Sequence, residues 1–246
     1  MKKQNNLLTI ALATILICFA AILTINLNSS KLTMASNDEG GESNTKIILI
    51  DPGHGGIDGG ASAADGTVEK NINLNIALEL EKLLKENGFK VFLTRDEDRG
   101  LYSDSGSVKE KKIQDLNERC KLKKDTNCDL FISIHLNKFS DASCKGAQVW
   151  YSKNSESEEI ANIIQSNLVA DLDSSNHRKP KFAKDMYKVL RTNDDMPGVI
   201  VECGFLSNNE DLSNLKNESY QKKVAESLNK SIKNYFEGHW KCKKKS

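Results

Sequence analysis

No charge of one sign dominates this chain of 246 residues: 35 lysines and arginines stand against 34 aspartates and glutamates, a net of +1. No strong field toward nucleic acid is built in, and nucleic acid is not an expected partner. The local exception is the tail Lys241-Cys242-Lys243-Lys244-Lys245, which reads first as a solvated terminus and second as a contact for an anionic surface. CxxC spacing is also missing. Cys120, Cys128, Cys144, Cys203 and Cys242 form an odd set with no zinc-ribbon pairs, so buried free thiols are expected, with one disulfide involving Cys120, Cys128 or Cys144 as the alternative. There is no Gly-Lys-Ser/Thr, and Asp58 stands where a GxGxxG loop would carry its third glycine. Both absences argue against a phosphate-cradling nucleotide site.

One long apolar run is present. Lys2 and Lys3 precede Leu7 to Ile25, 19 residues without a charge, long enough to cross a bilayer as a helix. Lysines ahead of such a run keep the N-terminus in the cytoplasm and send the rest outside. The segment reads as an uncleaved anchor, with a cleaved signal peptide and a weak site at Thr33-Met34-Ala35 as the alternative; either way the working part is exported. Cys18 follows Ile17, too bulky a neighbour for lipoprotein processing. The expected organisation is an anchor or signal peptide at 1–27, a flexible polar linker at 28–45, a catalytic domain at 46–238 and a basic tail at 239–246.

Within the domain, apolar strands alternate with helical periods. Lys46 to Asp51, Asp129 to Ile134 and Gly198 to Val201 are nearly continuous apolar runs, the pattern of strands covered on both faces. Phe89 to Leu93, Ala147 to Tyr151 and Tyr187 to Leu190 read as further extended segments. Helices are predicted over Glu69 to Asn87, over Ser155 to Leu172, over Glu218 to Phe236, and where Ile113, Leu116 and Cys120 recur at helical spacing. Strand and helix in alternation predict an α/β fold: one three-layer domain, a mostly parallel twisted sheet with helices on both faces, preceded by an N-terminal transmembrane segment.

Such sheets place their ligands off the carboxyl ends of the strands. Four polar residues fall there: His54 in the glycine-rich loop after the first strand, Glu69 opening the next helix, His135 just past Asp129 to Ile134, and Glu202 just past Gly198 to Val201. A lone strand-end histidine is usually a satisfied hydrogen-bonder. Two on one rim with a carboxylate have the composition of a two-histidine, one-carboxylate zinc site. A second carboxylate nearby can carry protons between water and a leaving amine.

The residues Asp51–Gly60 (DPGHGGIDGG), Glu69 in Val68–Asn71 (VEKN), Ser133–Asn137 (SIHLN) and Pro197–Asn208 (PGVIVECGFLSN) resemble the zinc-dependent N-acetylmuramoyl-L-alanine amidases of the amidase-3 type. The resemblance runs from Lys46 to about Phe236. It implies zinc as cofactor, with His54, Glu69 and His135 as ligands and Glu202 as the catalytic carboxylate. The implied reaction is hydrolysis of the amide between N-acetylmuramic acid and the L-alanine of the stem peptide in peptidoglycan. Gly146–Tyr151 (GAQVWY), Phe205–Asn208 with Tyr220-Gln221, and the lack of wall-binding repeats are most similar to the germination-specific subtype acting on spore cortex ahead of muramic-δ-lactam formation. A vegetative autolysin of the same chemistry, or a catalytically weak wall-binding protein that depends on an activating partner, are the other readings. The N-terminal segment implies an extracytoplasmic location, membrane-anchored or secreted, to which the subtype adds the forespore or cortex compartment; with no evident binding module, an accessory or activating protein is a further expected partner. Arg95, at a position where the family carries an arginine, either binds substrate or braces loops. Asn137 either orients His135 or contacts substrate, and Arg178 is a weaker candidate for substrate contact. His177 reads as a solvated loop residue, His239 as inert, and Cys203 as a core thiol pointing opposite to Glu202.

Overall fold

A strand as apolar as Ile47–Pro52 (β1) must be covered on both faces. In the computed structural model, which describes residues 45–243, it is. The other strands are β2 (Lys90–Leu93), β3 (Leu130–Asn137), β4 (Gln148–Tyr151), β5 (Lys181–Phe182) and β6 (Gly198–Phe205), in the spatial order β2-β1-β3-β6-β4-β5. β2, β1, β3 and β6 run parallel, β4 is antiparallel to β6, and β5 is parallel to β4. The sheet is therefore mixed, with a parallel centre. The apolar run at Leu7 to Ile25 lies outside the described residues, and no described helix is long and apolar enough to cross a membrane.

The helices are α1 (Glu69–Glu86), α2 (Val108–Asp125), α3 (Ser157–Leu172), α4 (Lys188–Arg191), α5 (Asn209–Leu215) and α6 (Glu218–Lys243). Side chains alternate along a strand, which divides the core in two. Ile48, Ile50, Ile132, Ile134, Val199 and Val201 join α1, α3 and α6 on one face, where Val224, Ala225, Leu228 and Ile232 of α6 are fully buried. Leu49, Phe131 and Ile200 meet Cys120 of α2 and Val189 and Leu190 of α4 on the other. Cys203 packs into the first core, as its alternation against Glu202 predicts. Cys120, Cys128, Cys144 and Cys203 are free thiols.

Three expectations need correction. His135 and Glu202 lie inside β3 and β6, whose pairing continues through them, rather than just past the strands. The segment Tyr187 to Leu190 is not extended: Lys188–Arg191 forms a short helix. The physical reason is Lys123, a fully buried ammonium that donates to the carbonyls of Val189 and Thr192, each at 2.8 Å. Carbonyls three residues apart point opposite ways in a strand and could not converge on one cation. Finally, α2 is a helix, capped by Ser107 and Glu110 in a capping box, but Ile113 and Leu116 are 46% and 39% exposed while Asp115, Arg119 and Lys123 face inward.

That inversion follows from what α2 meets. Arg119, 2% exposed, pairs with the buried carboxylate of Asp51 and with Asp115, and donates to the carbonyls of Pro52 (3.0 Å) and His54 (2.7 Å). Burial presses the Asp51 carboxyl upward, but the Arg119 charge and hydrogen bonds from Ser133 and Thr94 outweigh it and hold the group below its ordinary range. Removing one partner of a buried pair leaves an uncompensated charge, at a cost of about 3–5 kcal/mol. Arg119→Ala should lower folding stability by that order in urea denaturation followed by circular dichroism. A midpoint equal to that of the wild type would contradict the role assigned to this pair.

Candidate active site and metal centre

The loop after β1 turns back at once. His54 has φ of +63°, in the left-handed region, which a non-glycine residue adopts only when its surroundings hold it there. Here Gly55 and Asp58 close the turn through two backbone hydrogen bonds, Gly55 N–H to Asp58 O at 2.9 Å and Asp58 N–H to Gly55 O at 3.1 Å. The imidazole is thereby turned toward Glu69, the first residue of α1.

Glu69 joins the site. It is 2% exposed, and its Oε1 lies 3.2 Å from His54 Nε2 and 3.0 Å from His135 Nδ1. The same oxygen accepts from the Leu136 N–H at 3.0 Å, and Oε2 accepts from the Ala61 N–H at 2.7 Å. Burial opposes ionisation of Glu69, yet the two histidines hold its carboxyl far below the usual range. Glycines keep the space clear: a Cβ on Gly53 would stand 2.2 Å from His135 Cε1, and one on Gly60 would stand 2.6 Å from both Glu69 Oε2 and His54 Cδ2.

One ligand atom from each of His54, Glu69 and His135 falls within 4.8 Å of the others. Ligands about 2.1 Å from a tetrahedral zinc ion lie about 3.4 Å apart, close to the 3.2 and 3.0 Å separations from the Glu69 oxygen to the two imidazoles. The donor set, two imidazoles and one carboxylate, also leaves a fourth position free, as a hydrolytic zinc site requires. The three residues fit the metal.

Glu202 sits one strand away. His135 and Glu202 are Cα partners in the parallel pairing of β3 and β6, so their side chains leave the same face of the sheet. Glu202 is 6% exposed and its Oε2 has no protein partner. Burial raises its carboxyl to about 7; the charge of Glu69 adds to the rise while His135 and His54 oppose it.

Of the remaining candidates, Arg95 is 1% exposed, with donors spent on the carbonyls of Pro52, Gly53, Lys70 and Glu97. Of its two expected roles, that geometry fits bracing of the loop and leaves little for a substrate. Arg178 donates Nε to the Lys145 carbonyl and lays its guanidinium 4.7 Å from the centre of the Phe205 ring. Asn137 accepts from the Lys138 N–H and pairs with Phe205, which places it beyond His135 on the same strand. His177 is exposed, and the side chain of His239 lies outside the described residues.

Sequence reasoning passed over several residues that shape the site. Asp58 was weighed only as a missing glycine, yet its Oδ2 lies 2.9 Å from His54 Nδ1. Gln148 faces Glu202 across the β4 and β6 pairing and ties the Lys179 carbonyl to the rim at 2.5 Å, anchoring the loop that carries Arg178. A signal existed for α2: Asp115, Arg119 and Lys123 recur every four residues, a charged stripe as regular as any apolar one.

Residues 48–234 match the family model described as N-acetylmuramoyl-L-alanine amidase. The germination-specific N-acetylmuramoyl-L-alanine amidase of Bacillus subtilis (strain 168) is 39% identical over 193 residues, covering 78% of this chain and 80% of that protein. The N-acetylmuramoyl-L-alanine amidase LytC of the same organism is 32% identical over 194 residues, covering 78% of this chain and 36% of that protein. Among solved structures, the CwlD amidase of Clostridioides difficile, in complex with the GerS lipoprotein, matches with a TM-score of 0.76 at 38% identity, over 78% of this chain and 99% of that one.

Metal uptake should depend on pH in a defined direction. Burial alone would push His54 down, but hydrogen bonds to Asp58 and Glu69 and their charges raise it to about 9 in the metal-free protein. A ligating imidazole must be neutral, so a cation has to displace that proton. Zinc affinity, measured by competition with a chromogenic chelator, should climb between pH 6.5 and about 9 and then level off. An affinity flat over that window would contradict the assignment.

Proposed function

The chain belongs to the amidase-3 family of N-acetylmuramoyl-L-alanine amidases, and from that premise we propose that it hydrolyses the bond between N-acetylmuramic acid and the L-alanine of the stem peptide with zinc held by His54, Glu69 and His135. The observation that carries the proposal is the contact of one buried carboxylate oxygen, Glu69 Oε1, with both imidazoles, beside Glu202 on the neighbouring strand. Zinc held by these three residues would supply Lewis acidity for the amide carbonyl and lower the pKa of water there.

The chain's own residues do the rest. Glu69 stays ionised and keeps the two imidazoles facing one point. Glu202, raised by burial to about 7, takes the proton of the attacking water and returns it to the departing alanine nitrogen, since a group with a pKa near the working pH serves in both directions. A cation beside it would draw that value lower and favour the base form with which the cycle begins. Arg95 and Arg119 move no proton; they hold the carbonyls of the loop so that His54 stays in place. Arg178 and Asn137, on the rim past His135, are the side chains we assign to substrate contact.

The wall in question is the spore cortex, a reading supported by the 39% identity to the germination-specific enzyme. The likeness to a CwlD amidase solved with a lipoprotein supports an accessory lipoprotein partner for this chain. Cortex is an exported substrate, so we place residues 46–238 outside the cytoplasm as the catalytic domain, tethered by Leu7 to Ile25.

Glu202→Gln should retain stoichiometric zinc while turnover on purified peptidoglycan, read as newly exposed L-alanine amino groups, falls by about 10²–10⁴-fold. Loss of zinc in that variant, or survival of activity, would remove Glu202 from the proton-carrying role. In the source organism, deletion of the gene should eliminate muramic-δ-lactam from spore muropeptides. Its persistence, with altered vegetative muropeptides instead, would reassign the chain to growing wall.

A further inference from the structure

One carboxylate built into the site takes no part in the chemistry above. Asp58 lies four residues beyond His54, and the two backbone hydrogen bonds between Gly55 and Asp58 fold it back against the ring. Its two oxygens have separate partners. Oδ2 faces His54 Nδ1 at 2.9 Å, while Oδ1 accepts from Lys112 Nζ at 2.8 Å and from the Gly60 N–H at 3.4 Å. The carboxylate is thus held in one rotation, with one oxygen reserved for the imidazole.

A neutral imidazole has one N–H and one lone pair, and the partner of the N–H decides which nitrogen remains free to ligate. The two candidate histidines present different nitrogens toward Glu69, Nε2 from His54 and Nδ1 from His135. His54 therefore needs something to select its nitrogen. It also needs something to hold a ring whose backbone is in the left-handed region.

We propose that Asp58 is the positioning residue that makes Nε2 of His54 the metal-facing nitrogen, and that Lys112, reaching over from α2, sets the rotation of the Asp58 carboxylate. This rests on the reading of His54, Glu69 and His135 as a metal centre. Carboxylates that accept from a ligating histidine commonly govern metal affinity by about 10–100-fold. Lys112 is 48% exposed at its side chain, and an ion pair so open to water governs affinity by about fivefold or less. The two residues should therefore separate in size of effect.

The test uses the full chain with zinc as the probe, comparing wild type, Asp58→Asn, Asp58→Ala and Lys112→Met by chelator competition and by the thermal midpoint of the metal-free proteins. Measured above about pH 9, where His54 of the metal-free protein is neutral, both Asp58 variants should lose about 10–100-fold in zinc affinity, Lys112→Met about fivefold or less, and Asp58→Asn should keep the metal-free midpoint of the wild type. Histidine ¹⁵N NMR of the zinc-loaded wild type should show His54 protonated at Nδ1 and ligating through Nε2. Three results would overturn the proposal alone: wild-type affinity in the Asp58 variants, a loss in Asp58→Asn that tracks a lowered metal-free midpoint, or His54 ligating through Nδ1. A wild type that takes up no zinc would overturn it together with the metal reading on which it rests.

Discussion

The carbonyls of Pro52, Gly53 and His54 leave the end of a buried strand, and the rest of the site depends on finding donors for them. A buried carbonyl without a partner costs about as much as a lost hydrogen bond. Arg95 and Arg119 supply the donors. The brace fixes the His54 loop, and it explains why α2 turns its charged face inward and leaves Ile113 and Leu116 to solvent. Arg119 is itself admissible in the interior only because Asp51 and Asp115 balance it. A charged core under the rim is thus the condition for a precise loop above it.

Two glutamates in one site are driven to opposite states by their surroundings. Glu69 touches two imidazoles and two backbone N–H groups, and these hold it ionised against the penalty of burial. Glu202 is buried to a similar degree but has no donor on Oε2, so the same penalty goes uncompensated and its carboxyl rises. Divergent environments for like groups are what acid and base assignments are built from. The difference follows from position: Glu69 opens a helix inside the loop's hydrogen-bond network, whereas Glu202 stands on a central strand beside His135.

Much of this was legible in the sequence, because apolar runs and helical periods report burial directly. The three central parallel strands, α1, α3 and α6 stand where their patterns predict, and the rim rule brought His54, Glu69, His135 and Glu202 together from separate stretches of chain. What escaped was whatever depended on charge in the interior. The spacing of Ile113, Leu116 and Cys120 pointed to the right element, but only Cys120 faces the core, because α2 also meets a carboxylate and a row of carbonyls that call for its charged side chains. Lys188–Arg191 escaped because its shape is set by Lys123, some 65 residues earlier in the chain. Gln148 escaped because its role arises from tertiary register, which no local pattern carries, whereas Asp58 is brought to His54 by a local turn and was passed over because it was weighed only against a glycine.

The central claim is that this braced rim presents two imidazoles and one carboxylate to a single zinc ion. X-ray absorption at the zinc edge of the purified full chain tests it most directly. The account predicts a shell of nitrogen and oxygen at about 2.0–2.2 Å, with the outer-sphere scattering of two imidazoles and no sulfur. A sulfur contribution at about 2.3 Å, or an all-oxygen shell without imidazole scattering, would contradict it.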